Sequence, residues 1–167
     1  MSFRLVTGSL IIAFFLLTVL FGSPSSVTVI STAAPARTPV PEAKPLFTDF
    51  KGVTIGMSAD DARAKLGKAH DTSDLQDFYT FSAEETVQIV FDDDKTVKAI
   101  AATWVGTKVK APEPKDVFGV DVEAKPDGSI NKMVKYPKLG YWISYIRTEG
   151  SDPMIMVTVH KLQKAEL

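Results

Sequence analysis

The sequence predicts one α+β domain over residues 46–167: a single antiparallel sheet with a short capped helix on one face. Three observations predict it. A helix with both ends marked lies between Ser58 and Gly67. Runs of aromatic and β-branched residues with period-two alternation follow it. The connections between the first of those runs are too short for a parallel crossover, so neighbours must pair antiparallel.

The helix is legible residue by residue. Ser58 is placed to cap the N-terminus, with Asp61 as the acidic half of a capping box. Met57 and Ala62 form a weak hydrophobic staple across the cap. Asp60 and Asp61 sit at the positive end of the helix dipole, Arg63 and Lys65 toward the other end. Gly67 supplies the left-handed residue that closes the helix.

Three strands are predicted next: Phe78–Ser82, Thr86–Phe91 and Thr96–Trp104, with Asp92–Lys95 as a turn. Val97, Ala99 and Ala101 fall on one face of the third, and their small size predicts that the helix packs there. After a polar linker with Pro112 and Pro114 the pattern begins again. Lys115–Gly119 reads as one helical turn, Val120–Lys125 as an edge strand and Pro126-Asp-Gly-Ser as a turn. Lys132–Tyr136, Tyr141–Thr148 and Met154–His160 read as three further strands. Two helix-then-strands halves predict a degenerate tandem repeat that extends one sheet.

The string Ile55-Gly-Met-Ser-x-Asp-x-Ala-Arg-x-x-Leu-Gly67, the strand with Tyr79 and Phe81, and Val87-Gln-Ile-Val-Phe91 before an acidic turn carry a family likeness. Together they resemble the SmpA/OmlA (BamE-like) domain, a small α+β module related in shape to the β-lactamase inhibitor protein, itself a tandem repeat. The likeness covers about Phe50 to Trp104. BamE-like proteins are typically lipoproteins, whereas this chain has no cysteine to acylate. It has Lys68-Ala69 where the family often has a proline, and its half from Pro114 onward has no counterpart in the minimal domain. The resemblance implies a non-catalytic, envelope-associated binding module and brings no catalytic residue with it.

Composition narrows the classes further. The formal net charge is −1 with both signs interspersed, so there is no basic stripe and nucleic acid is not an expected partner. The lack of cysteine excludes disulfides, thiolate metal sites and cysteine nucleophiles. Residues 1–30 read as a signal peptide or an N-terminal membrane anchor: Arg4, an apolar run Leu10–Phe21, then Gly22-Ser-Pro. Extended back to Leu5, the run reaches 17 residues, the short end of a membrane-spanning helix. Residues 31–45, with Pro35, Pro39, Pro41 and Pro45, form a proline-rich linker. The expected location is extracytoplasmic, either periplasmic or membrane-anchored, with secretion as the alternative.

The search for chemistry assigns no catalytic residue, cofactor or metal. His70 and His160 have no partner at ligand spacing. Asp92-Asp-Asp94 lacks the glycine and distal glutamate of a calcium loop. No Gly-x-Ser-x-Gly elbow and no phosphate-cradling glycine loop occur. Asp60 and Asp61 are adjacent on a helix and point apart, which suits capping. Aromatic residues give the candidate protein-binding surface: Trp104, Tyr136, Tyr141 and Tyr145. Alternation puts Tyr141, Ile143 and Tyr145 on one face, Trp142, Ser144 and Ile146 on the other. The expected function is a non-enzymatic protein-binding or scaffold module of the bacterial cell envelope. A secreted enzyme inhibitor is the alternative, and a hydrolase with a site assembled from distant residues comes third.

Overall fold

The structure, a computed structural model, describes residues 44–107 and 110–163. The expected signal or anchor (1–30) and most of the proline-rich linker lie outside the described residues.

Seven strands form one open antiparallel sheet in the order β1-β2-β3-β4-β7-β6-β5. The first four are β1 (Asp71–Thr72), β2 (Gln76–Thr80), β3 (Glu85–Phe91) and β4 (Val97–Val105). The last three are β5 (Ile130–Tyr136), β6 (Tyr141–Arg147) and β7 (Met154–Lys161). Each set is a meander, and the two meet where β4 pairs antiparallel with β7. Helices α1 (Ala59–Leu66) and α2 (Pro114–Phe118) precede β1 and β5. The α+β class and single antiparallel sheet are as expected.

The helix ends behave as their residues dictate. Ser58 Oγ accepts from the Asp61 N–H at 3.1 Å, and its hydroxyl donates to the Asp61 carboxylate at 2.7 Å. Gly67 closes α1 at φ +80° and ψ −149°, a conformation open in practice to glycine alone, while its N–H reaches Arg63 O at 2.9 Å. α2 is a single turn whose first amide, Glu113 N–H, donates to the Asp116 carboxylate at 3.0 Å.

Three expectations are corrected. α1 does not pack on the Ala99 and Ala101 face. A bulge between Val90 and Phe91 pairs Phe91 with Val97 and Val90 with Ala99, so Lys98 is the extra residue. That residue flips the alternation: Val97, Ile100, Ala102 and Trp104 share the core face, whereas Ala99 and Ala101 face away. Val120–Lys125 forms no strand; Val122 packs against the core, and the edge of the sheet is β5. The sheet also begins earlier than the first expected strand, Phe78–Ser82: Asp71–Thr72 and Gln76–Asp77 are paired strand residues, and their polar side chains mask the alternation.

One face of the sheet is covered, by α1, α2 and the segment leading into α1. Phe50, Val53, Ala59, Ala62, Val117 and Phe118 join the core-face residues of the strands in one cluster. The attachment of α1 is mainly polar. Asp77 on β2 is 0 % exposed, and Arg63 grips it with Nε–Oδ2 at 2.8 Å and Nη2–Oδ1 at 3.1 Å. The same guanidinium donates to Ser73 O at 3.3 Å and lies 5.4 Å from the Phe91 ring centre. The hydrogen bond to Asp77 holds the guanidinium pKa above its ordinary value.

A second polar clamp closes the β3–β4 turn. Asp92 accepts from the Thr96 N–H (2.9 Å), the Thr96 hydroxyl (2.9 and 3.0 Å) and Lys161 Nζ (3.0 Å). The Thr96 amide, then Lys161 and the Thr96 hydroxyl, lower the carboxyl from 3.8 to about 2.

Two predictions follow from these clamps. Arg63→Ala strands the buried Asp77 carboxylate and is expected to cost about 2–3 kcal/mol in urea unfolding. Adding Asp77→Ala should recover part of that loss, and a strictly additive double mutant would refute the coupling. Asp92 is depressed in the folded state, so its contribution is present above 3.8 and lost as pH falls toward about 2. Asp92→Asn should therefore flatten the stability–pH curve between those values, measured by chemical unfolding at stepped pH.

Candidate binding face

Each of the four aromatic residues expected at the surface lies on the covered face. Tyr145 is 1 % exposed, Tyr136 3 % and Trp104 6 %; Tyr141 is partly buried against the same cluster. Tyr145 donates its hydroxyl to Pro112 O at 3.2 Å and so pins the linker to α2 down over the sheet. Trp104 packs beside Phe50 with ring centres 6.2 Å apart, and Tyr136 beside Tyr141 at 6.1 Å. Burial raises the pKa of both Tyr141 and Tyr145. Alternation grouped Tyr141 with Tyr145 as expected, but their face is the core. The proposed surface of Trp104, Tyr136, Tyr141 and Tyr145 is corrected accordingly.

The other face carries no helix among the described residues, and none of its apolar side chains belongs to the core cluster. Its two halves differ. Over β2 and β3 it carries Gln76, Thr80, Thr86 and Gln88 around Phe78 and Val90, and Gln88 Nε2 donates to Gln76 Oε1 at 2.7 Å. Over β5–β7 it carries Met133, Trp142, Ile146, Met154 and Met156, with Met133 54 % exposed. Between them, β4 contributes the small Ala99, Ala101 and Thr103.

Trp142 and His160 are cross-strand partners and stack with ring centres 5.1 Å apart and planes 9° off parallel. The His160 Nδ1 lies 2.7 Å from Lys161 O. A carbonyl can only accept, so Nδ1 carries the proton, and in the neutral ring Nε2 keeps its lone pair. Lys135 is the cross-strand neighbour of Trp142. On this face the strands β4 to β7 present no carboxylate. Methionine and tryptophan are residue types enriched in the cores of protein interfaces.

His70 lies at the far margin, edge-on to Phe78 at 6.4 Å, and no group of three metal-ligating side chains occurs among the described residues. Two open grooves flank α1. One, of about 330 Å³, is lined by Ser58, Asp60, Arg63, Asp74 and Lys95; the other, of about 440 Å³, by Lys68, His70, Asp71 and Tyr79. Asp74 pairs with Lys95 at 3.2 Å, and Arg63 is already committed to Asp77.

Sequence reasoning missed Met133, Met154 and Met156 on the uncovered face. For the last two the signal was present: β7 alternates Met154 and Met156 with Ile155, Val157 and Val159, so it is apolar on both faces, which one-sided burial does not require. No family model, curated protein or solved structure matches the chain.

The two faces predict opposite responses to charge. Met133→Asp, at a side chain 54 % exposed, should fold with a stability change within about 0.5 kcal/mol, the range usual for surface substitutions. Tyr145→Asp buries an unpaired carboxylate and should abolish cooperative unfolding. Circular dichroism melts of both variants check this, and equal loss in the two would refute the assignment of faces.

Proposed function

We propose that this chain is a non-enzymatic protein-binding module of the bacterial cell envelope, exported by its N-terminal segment, that docks partners on the uncovered sheet face. The observation that carries the reading is the unequal division of that face. Over β2 and β3 the uncovered face has threonine and glutamine outnumbering Phe78 and Val90, whereas the β5–β7 half sets Met133, Trp142, Ile146, Met154 and Met156 beside Ser144, Thr158 and His160. The apolar run Leu10–Phe21 and the prolines after it support delivery across a membrane and, where the run is retained, a tether.

The BamE-like and inhibitor-like resemblance belongs to the same proposal. Each half of the domain is a short helix followed by a three-strand antiparallel meander, α1 with β2–β4 and α2 with β5–β7. The last strands of the halves pair antiparallel with each other, an arrangement that a degenerate tandem repeat produces by a two-fold rotation. A repeat of this kind supplies one broad sheet from two small units and leaves a face wide enough for a partner.

The test is photo-crosslinking of the full chain in its own cell, with the reactive side chain at position 156 and a control at Thr80 on the polar half. Position 156 is expected to give a discrete protein adduct in the membrane or periplasmic fraction, and Thr80 none. Equal yields at both positions, or adducts only in the cytosol, would overturn the proposal.

A further inference from the structure

Neither strand propensity nor core packing accounts for the methionines of this sheet. Strands favour β-branched residues, and the core face of β7 follows that preference with Ile155, Val157 and Val159. On the uncovered face the same strand sets Met154 and Met156 at successive outward positions. β5, two strands away, adds Met133, 54 % exposed. None of the three belongs to the core cluster. The chain has five methionines; Met57 packs against that cluster, and Met1 lies outside the described residues. With no cysteine in the chain, the methionine thioethers are the side chains that mild two-electron oxidants attack first.

We propose that Met133, Met154 and Met156 form a reversible oxidation site, and that hydrogen peroxide releases the partner from the uncovered face by converting them to sulfoxides. The proposal rests on the docking-face reading above and names the signal to which that face responds. In each step the sulfur lone pair attacks a peroxide oxygen, an S–O bond forms, the O–O bond breaks, and the second oxygen leaves as water. The thioether loses two electrons and the peroxide gains them. Return requires an external sulfoxide reductase, whose two thiols become a disulfide while the oxygen departs as water. The chain holds no thiol that could serve.

Position makes the change act on docking rather than on folding. Three of the five large apolar side chains of the β5–β7 half become polar, leaving Trp142 and Ile146. A partner that buried those methionines then has to desolvate a sulfoxide oxygen for which it holds no donor. The fold bears no such cost. The new oxygens lie on the side away from the core cluster, and the ladders of β5, β6 and β7 are main-chain contacts.

The test has two stages, the first on the full-length chain purified in non-ionic detergent. Hydrogen peroxide is added at millimolar concentration, and oxygen uptake is read by peptide mass mapping. Met133, Met154 and Met156 are expected to take one oxygen each at least about fivefold faster than Met57, with the cooperative melt retained in circular dichroism. Methionine sulfoxide reductases for both epimers, supplied with a dithiol, should restore the original mass. In the second stage a photo-crosslinking side chain replaces Thr103, the β4 neighbour of Met156, so that all three methionines stay in place. Brief peroxide treatment of the cells is expected to lower the discrete adduct at least about fivefold. The variant Met133→Leu, Met154→Leu, Met156→Leu, apolar but without sulfur, should keep it.

Uptake at Met57 as fast as at the other three, collapse of the melt on oxidation, or sulfoxides that the reductases leave in place would each overturn the proposal. So would an equal drop in the leucine variant, or an adduct that persists once mapping shows the three sulfoxides. All of these leave the adduct of untreated cells intact. Absence of that adduct before peroxide is a different result: it removes the docking-face reading, and this proposal with it.

Discussion

The Arg63–Asp77 pair is the constraint on which the arrangement of this domain depends. α1 buries only two side chains fully, Ala59 and Ala62, whose methyl groups contribute about 0.8 kcal/mol each. That is too little to hold an eight-residue helix against its own unwinding, since isolated helices of this length are marginal in water. The guanidinium supplies what the apolar face lacks. It joins the middle of α1 to the inside of β2 by two hydrogen bonds, and Tyr79 adds its hydroxyl to Asp77 at 3.4 Å. Burial and the Asp77 charge push the Tyr79 phenol up, so it remains a neutral donor across the physiological range. Remove Arg63 and the Asp77 carboxylate is left buried without its charge partner, which is the cost that the helix attachment otherwise avoids.

Because the lid sits on one face, the other face is released from core packing, and the chain uses that freedom unevenly. The switch between the faces is local. One extra residue at Lys98 reverses the phase of β4, sending Ala99 and Ala101 outward and Ile100 and Ala102 inward. Counting by twos from Val97 therefore lands on the wrong side of the sheet. Nothing in the residues 90–98 marks the bulge, since it arises from how Val90 and Phe91 pair with a neighbouring strand rather than from a glycine or proline. The caps of α1, by contrast, are contacts between residues three or four apart, and Ser58, Asp61 and Gly67 are where the sequence places them.

The same distinction explains the tyrosines. Alternation within β6 separates Tyr141, Ile143 and Tyr145 from Trp142 and Ile146, but both sets are apolar, so the strand alone does not reveal which side is covered. That is decided at long range. Leu46 and Phe47 donate to Val117 O, and Tyr145 holds Pro112, which together draw α2 and its flanks across the tyrosine face. β2 and β3 were easier to read because Thr80, Thr86 and Gln88 are plainly solvent-facing. Their phase carries across β4 and β7 to β6 only once the register is known. Asp77 was hidden for a related reason: a buried carboxylate looks like a turn residue until its arginine is in view.

An apolar half-face beside a long open edge is a hazard for any domain, because both features favour aggregation. The way the chain limits that hazard bears on what it binds. It does not substitute the face with charge or shorten β5. Instead strands β4 to β7 carry lysines and no carboxylate, so like copies repel one another. Blunting by proline or by mixed charge would have excluded every occupant equally. Selective repulsion is useful only where some association is to be kept, which supports the proposed docking of a partner on this face.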